Sequence, residues 1–571
     1  MPRLDAEKFL ASDSVIFNIQ YTEKSCVITY RTIYILVAAA FVYIVSQWNA
    51  LTDQYWIMDD VRQQVYWMQR WLDPEVFRDD LLSRYAQDYV PWGVQAVYYI
   101  GSFIVTPVQF TKVVAFVLYV ATMGFLYGLA KRFEDDFTAV TVVCTCFFFP
   151  GFMTKISGGL SQGFVYPLMA AYLYFLSKKK TESASRVIFF QSLFNPYLFA
   201  LCLATHGLYI LHQDLLPVFR NRDSEQATWP KKLSRVMVAN SPVVAGIALM
   251  LLKYLVMQVP EFGEVVTWKD MEGHPEYSEN GRTDDLPPPS IFWELILPWA
   301  YFFPFAKEVP VLFYTCLSGV AAGIAVVFVR RRKDINIAGF TVFAYLLPAS
   351  IVLYGISYYL LLRLFIPNRY MEFSFTIFYA FLSGAVLAAA LRSLQTAKLA
   401  SPLLLIIIAL FGGLRNYNAS IYDYSCYKPL YSFIETLPKD VVIAGHPELM
   451  DNIQTFCHRK AFVTYELSHP YRKKYWEKIK KRLLDLFNSY YSEDPQQIKE
   501  FATIYGVHYF VLRDEDFSRG NLKHSSLFFE PFGDFIHRLI ETRNHFALLD
   551  EKNFEIVFRW DRFRVVRLMD R

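Results

Sequence analysis

A succession of long apolar runs constrains this chain more than any other feature. They cover residues 30–45, 113–130, 137–153, 163–176, 187–211, 236–256, 309–329, 337–361, 373–390 and 403–413. About 20 mostly apolar residues are needed to cross the hydrocarbon core of a bilayer. Composition agrees: 54 % of the 571 residues are hydrophobic and only 19 % are charged, against roughly 45–50 % and about 25 % in soluble domains. A disordered chain, a disulfide-dense mini-protein and a collagen-like fibre are excluded. A net charge of +4 over this length is no nucleic-acid footprint. The seven scattered cysteines show no zinc-ligand spacing and read as small buried residues; Cys426 and Cys457 can pair if the tail is extracytoplasmic.

The run at 30–45 follows a charged, partly polar stretch, and no small-residue cleavage site follows it, so it reads as an anchor rather than a removed signal peptide. Short cytoplasmic loops collect Lys and Arg. The basic clusters at 131–132, 178–180, 220–232, 330–333 and 392–398 all face the cytoplasm if the run 187–211, with Asn195-Pro196 at its centre, is two half-spanning helices meeting at the proline. Residues 92–107 then lie on the outer interface as an amphipathic helix, and 291–305, with Pro298 and Pro304, is interfacial too. The expected fold is mainly α: a polytopic transmembrane helix bundle of about 11 membrane segments, N-terminus inside. Its domains are a membrane module at 1–416, with outer loops 47–107 and 257–308, and a soluble extracytoplasmic α/β domain at 417–571.

The tail reads as strands at 441–444, 461–464 and 507–512, helices at 475–491 and 495–505, and a closing hairpin from 554–560 and 562–568. Alternating helices and apolar strands form small layered folds. No Gly-rich phosphate loop occurs in it. His446, Asp451, Glu466 and His469 fall at strand ends, where polar residues serve as caps and turns.

The polar chemistry gathers outside the bilayer. The first outer loop carries Asp59-Asp60 and, farther on, Asp79-Asp80, among aromatics suited to the headgroup level. A carboxylate there can accept a proton from an attacking hydroxyl, hold a divalent cation beside a phosphate, or cap the next helix. Arg363 and Arg369 flank the junction of two apolar runs, where guanidinium groups suit phosphate oxygens or snorkel to headgroups; Tyr370 adjoins them. Lys155 and a small-residue run, 157–162, form the second outer loop. His274 in the third loop is either a second proton carrier or a surface residue.

The acidic pair just outside the first helix, interfacial helices, a many-span bundle and a soluble C-terminal domain resemble the C-type glycosyltransferase (GT-C) superfamily. Its members include protein O-mannosyltransferases, aminoarabinose transferases and the catalytic subunit of oligosaccharyltransferase. Stretches 59–67, 73–85, 367–370 and 444–451 resemble uncharacterised bacterial membrane proteins of this kind. The resemblance implies a glycosyltransferase in the bacterial inner membrane. It moves a sugar from a polyprenyl-phosphate-linked donor to a glycan, lipid or protein acceptor on the extracytoplasmic face. Asp59 or Asp60 is then the catalytic base of an inverting single displacement, with Asp60 preferred because Asp59 is expected to cap a helix at 61–70. Arg363, Arg369, Tyr370 and Lys155 become donor-phosphate ligands, with Asp79, Asp80 and His274 as further candidates. No cofactor follows firmly, although a divalent cation is compatible with one branch of the superfamily. Competing readings are a lipid or polymer carrier or scramblase, and a non-catalytic scaffold whose tail binds a partner.

Overall fold

A computed structural model describes residues 30–133, 135–216, 229–283, 290–303, 305–331, 337–361, 363–364, 366–392, 402–518 and 528–569. Among them, three helices are long and apolar enough to cross a bilayer: Pro107–Ala130, Pro310–Arg331 and Asn368–Leu391. Asp136–Cys146 and Pro150–Ile156 make a fourth span if their 60° bend is counted as one crossing. Five further apolar helices have 10–17 residues. The chain is thus an integral membrane protein, but the expected count of about 11 segments is not confirmed. Several runs that look continuous in sequence are broken by polar caps and prolines. The basic stretches expected at 220–232, 330–333 and 392–398 lie partly outside the described residues.

The break at Asn195-Pro196 is real. Helices Thr181–Phe194 and Pro196–Ile210 meet there, because proline has no N–H for the first helix to bond and fits the first position of the second. The Asn195 side chain accepts from the Leu198 N–H at 3.0 Å and starts the new helix. Lipid tails are as apolar as leucine, so close backbone approach holds such bundles together. At Gly384 a Cβ would stand 2.5 Å from the Cα of Val142, so glycine is what lets Asn368–Leu391 press against Asp136–Cys146.

Seven strands are formed: β1 Trp56–Ile57, β2 Tyr422–Asp423, β3 Val442–Gly445, β4 Lys460–Ala461, β5 Val507–Arg513, β6 Glu555–Trp560 and β7 Phe563–Arg567. The last five make one sheet in the order β4-β3-β5-β7-β6. β3 runs parallel to β4 and β5, and the closing hairpin is antiparallel. β5 is buried on both faces, as its apolar run requires in a sheet covered by helices. β4 is shorter than the expected 461–464, because the chain turns away to lay the backbone N–H groups of Tyr465 and Glu466 on Asp451. Cys426 is exposed and Cys457 buried, and the two are not bonded.

The tail is tied to the first outer loop. β1 pairs with β2. Tyr85, on the helix Leu81–Tyr89, stacks on Tyr475 at 3.6 Å between ring centroids. Lys428 meets Asp53 at 3.0 Å. The third outer loop lies along the same face: Glu276 accepts from Trp476 at 2.8 Å and pairs with Lys480 at 3.1 Å.

Candidate active site at the outer end of the bundle

The second outer loop is pinned before it reaches Asp60. Ser161 donates to the carbonyl of Phe194 at 2.6 Å, the last helical residue before the Asn195 break. Tyr98 donates to the carbonyl of Gly159 at 3.2 Å. Gly159 has φ +63°, and a Cβ there would meet the Thr111 carbonyl at 2.6 Å, so the turn needs glycine. This fixed turn aims the Gln162 amide at Asp60, donating to its carboxylate at 2.9 Å. Burial, and secondarily the neighbouring Asp59, push the Asp60 carboxyl above its ordinary pKa, while Arg369, Lys155 and Arg282 pull it back.

Beneath Asp60 sits a second carboxylate. Glu372, its side chain 2 % exposed, pairs with Lys155 at 2.8 Å and with Arg369 at 3.0 Å. Lys155 ends the bent segment Pro150–Ile156, whereas Arg369 and Glu372 share the first turns of Asn368–Leu391 at i,i+3 spacing. The group therefore sets two cations against one buried anion, within electrostatic reach of Asp60.

Above Asp60, loops and tail form another cluster. Arg62 pairs with Asp59, approaches Glu466 at 3.5 Å, donates to Asn452 at 3.0 Å and lies over the Tyr424 ring. Tyr424 also donates to Asp59 at 3.0 Å. Arg282, from the third outer loop, stacks on Tyr465 and approaches Glu466 at 3.5 Å. Asp451, fully buried, accepts the backbone N–H groups that truncate β4. Burial drives the Asp451 and Glu466 carboxyls well above their usual range; Asp59 raises both further and Asp451 raises Glu466, while Arg62 and Arg282 pull both back. His469 is held in its neutral form by burial; it contacts Gln63 and stacks on Tyr471.

The structure thus brings together Asp60, Lys155 and Arg369, with Asp59 turned to the roof. The other candidates are placed elsewhere. Asp80 caps Leu81–Tyr89, accepting from the Ser83 backbone at 2.8 Å. Asp79 is exposed beside Arg78. His274 is exposed, 3.9 Å from Glu276. Arg363 is exposed, and the Tyr370 hydroxyl donates to the Leu364 carbonyl at 2.8 Å. The expected helix at 61–70 is one α-turn, Val61–Gln64, followed by a 3-10 segment, Tyr66–Trp71. Its N-cap is Asp60, not Asp59, and the Asp60 side chain makes no capping bond; the carboxylate is taken by Gln162 instead.

Sequence reasoning passed over Glu372, Arg62 and Arg282 as site residues and reached Gln162 only as the end of the small-residue run 157–162. Glu372 had a readable signal, an ionisable residue inside a span; Arg62 and Arg282 had none. Among the described residues no three His, Cys, Asp or Glu side chains group as metal ligands. Asp59 faces an arginine and Asp60 an amide.

No protein-family model matches the sequence, and no curated protein matches it significantly. Solved structures do. ArnT from Cupriavidus metallidurans in the apo state aligns over 94 % of this chain and 97 % of its own, with TM-score 0.50 and 12 % identity. ArnT bound to undecaprenyl phosphate gives TM-score 0.49 and 11 % identity over 95 % and 98 % of the two chains. The Archaeoglobus fulgidus oligosaccharyltransferase complex with Zn and sulfate gives 0.46 and 14 % over 89 % and 70 %. These neighbours are GT-C membrane glycosyltransferases, and the nearly complete two-way coverage of apo ArnT shows that this chain has that fold.

Proposed function

We propose that the chain is a glycosyltransferase that moves a sugar from a polyprenyl-phosphate-linked donor to an acceptor hydroxyl on the extracytoplasmic face. The observation that carries this reading is the juxtaposition of a half-buried carboxylate, Asp60, with the Lys155–Glu372–Arg369 group at the outer end of the bundle. The GT-C fold supports it. In the proposed step the acceptor oxygen attacks the anomeric carbon, the bond from that carbon to the phosphate oxygen breaks, and Asp60 takes the hydroxyl proton. Lys155 and Arg369 hold the leaving phosphate, whose charge grows as the bond breaks. One base and one stabilised leaving group suffice for a single displacement with inversion. No step needs a metal. We further propose a bacterial inner membrane location, N-terminus cytoplasmic, with a membrane module at 1–416 and an extracytoplasmic domain at 417–571.

The test is mass spectrometry of lipids co-purifying with wild type and with Asp60→Asn. A polyprenyl-phosphate sugar enriched on the variant supports the reading and names the sugar. Full transfer activity in the Asp59→Asn/Asp60→Asn double variant overturns it, and lipid transport without a covalent product points to the carrier instead.

A further inference from the structure

The two adjacent aspartates are held in different ways, and the difference gives the second outer loop a role. Asp59 is engaged by the Arg62 guanidinium and the Tyr424 hydroxyl, both on Oδ1. Asp60 takes one neutral donor, the Gln162 amide on Oδ2 at 2.9 Å. Among the described residues no other donor reaches the Asp60 carboxylate, and it makes no capping bond, so Oδ1 is left open. The chemistry of the holder matters. A carboxylate paired with a cation is a weaker base. An amide N–H instead fixes one oxygen, favours the ionised form and leaves the negative charge uncancelled.

Gln162 is itself fixed. It lies in the 3-10 turn Ser161–Phe164, at the entry to the helix Val165–Ser177. The Ser161 hydroxyl beside it donates to the Phe194 carbonyl at 2.6 Å, and the Asn195 amide donates back to the Ser161 carbonyl at 3.4 Å. Phe194 ends its helix, and the last carbonyls of a helix have no partner within it; Pro196 has no N–H to offer. The break in the bundle thus supplies the acceptor that holds the turn. On its other side the Gln162 amide lies 3.9 Å from the sulfur of buried Met58, two residues before Asp60. We propose that Gln162 is the positioning residue of the base: it holds Oδ2, so that Oδ1 is the oxygen that receives the acceptor proton, and the helix break at Asn195-Pro196 anchors it there. The proposal rests on the reading of Asp60 as the base.

The test reads Asp60 directly and needs no substrate. Dicyclohexylcarbodiimide, an apolar reagent that adds to protonated carboxyls, is applied to the full-length protein in zwitterionic nanodiscs over a range of pH. Peptide mass spectrometry then measures labelling at Asp60. Asp60 faces Asp59 on its own loop, Lys155, Arg369 and Arg282 from three other segments, and Tyr89 and Tyr197; Glu372 lies behind Lys155 and Arg369. All of these are retained in Gln162→Leu, so the variant isolates the amide. Losing a donor to the ionised form at unchanged burial should raise the labelling midpoint by at least about half a pH unit. Gln162→Asn, one methylene too short to reach from the fixed turn, should shift it in the same direction, and it carries the test if Gln162→Leu does not fold. An unchanged midpoint overturns the proposal. So does a midpoint that falls toward the ordinary carboxylate range, because Gln162 would then act only by keeping water from Asp60. Wild type that is unlabelled at Asp60 at every pH overturns it as well, since Oδ1 would be closed. Full transfer activity in Asp60→Asn defeats the base reading instead, an outcome separate from any of the labelling results.

Discussion

Two charge clusters lie on either side of Asp60, built from the same residue types with opposite surpluses. The lower one sets Lys155 and Arg369 against Glu372, on helices, with contacts of 2.8 and 3.0 Å. The upper one sets Arg62 and Arg282 against Asp59, Asp451 and Glu466, on loops and the tail, with the Glu466 contacts at 3.5 Å. A cluster with spare positive charge is prepared to receive an anion. A cluster with spare acid has no use for one; its surplus is met by backbone N–H groups on Asp451 and by carboxyls whose protonated forms are favoured. The lower cluster is therefore suited to chemistry and the upper one to holding the first loop, the third loop and the tail together.

The sharpest way to break this contrast is at the two adjacent aspartates. Asp60→Asn should cost transfer about 10²–10⁴-fold, the range for losing a general base, with an unchanged melting temperature. Asp59→Asn, which loosens the roof and removes one charge that raises the Asp60 pKa, should stay within about tenfold. Equal losses in steady-state kinetics would erase the distinction between the clusters.

Next comes Arg369→Gln, expected to lower kcat/KM by about 10²–10³-fold, as for removal of one preorganised charge-stabilising donor. It should also move the pH profile. The Asp60 pKa is already raised by burial and Asp59 and is held down by Arg369. The proposed base works only when ionised, so activity should fall as pH drops through that pKa. Without Arg369 the acid limb should shift to higher pH; a fixed limb would place another group in the role of base.

Arg62→Met should act on stability rather than chemistry. It removes charged hydrogen bonds to the tail, each contributing about 1.5–3 kcal/mol. The melting temperature should fall while KM for the donor is retained, measured by thermal denaturation and kinetics on the same preparation.

The smallest effect is expected at Asp451. Its carboxyl and that of Glu466 are raised by burial, so the folded state binds their protons more tightly than the unfolded chain does. The stabilisation this provides is fully present below the ordinary carboxylate range and is lost as pH rises through the raised values. Asp451→Asn should flatten the decline of stability with rising pH. A decline of unchanged slope would assign the effect to another group.

Much of this architecture is legible in the residues. The apolar runs announce the bilayer, Asn195-Pro196 announces a broken helix, and the tail's short apolar strands and closing hairpin fall within a few residues of where they form. The site is legible only in part. Asp60, Lys155 and Arg369 are recognisable as charged residues at membrane junctions, and the i,i+3 spacing of Arg369 and Glu372 is open to inspection. The contact from Lys155 to Glu372 is not, nor is that from Gln162 to Asp60, because each joins residues separated by more than 100 positions. The capping role went to the wrong aspartate for a related reason: Asp59 and Asp60 are equivalent by propensity, and tertiary partners separate them.

The sequence by itself determined that this chain enters a membrane, where its helices break, that a sheet domain follows them, and that acids and bases gather in the segments between its apolar runs. These depend on hydrophobicity and backbone preference, which act over a few residues at a time. Only the tertiary structure decided which carboxylate meets an amide and which an arginine, and which cations share a buried glutamate. Electrostatic matching depends on distance in space, and the folded chain alone sets that distance.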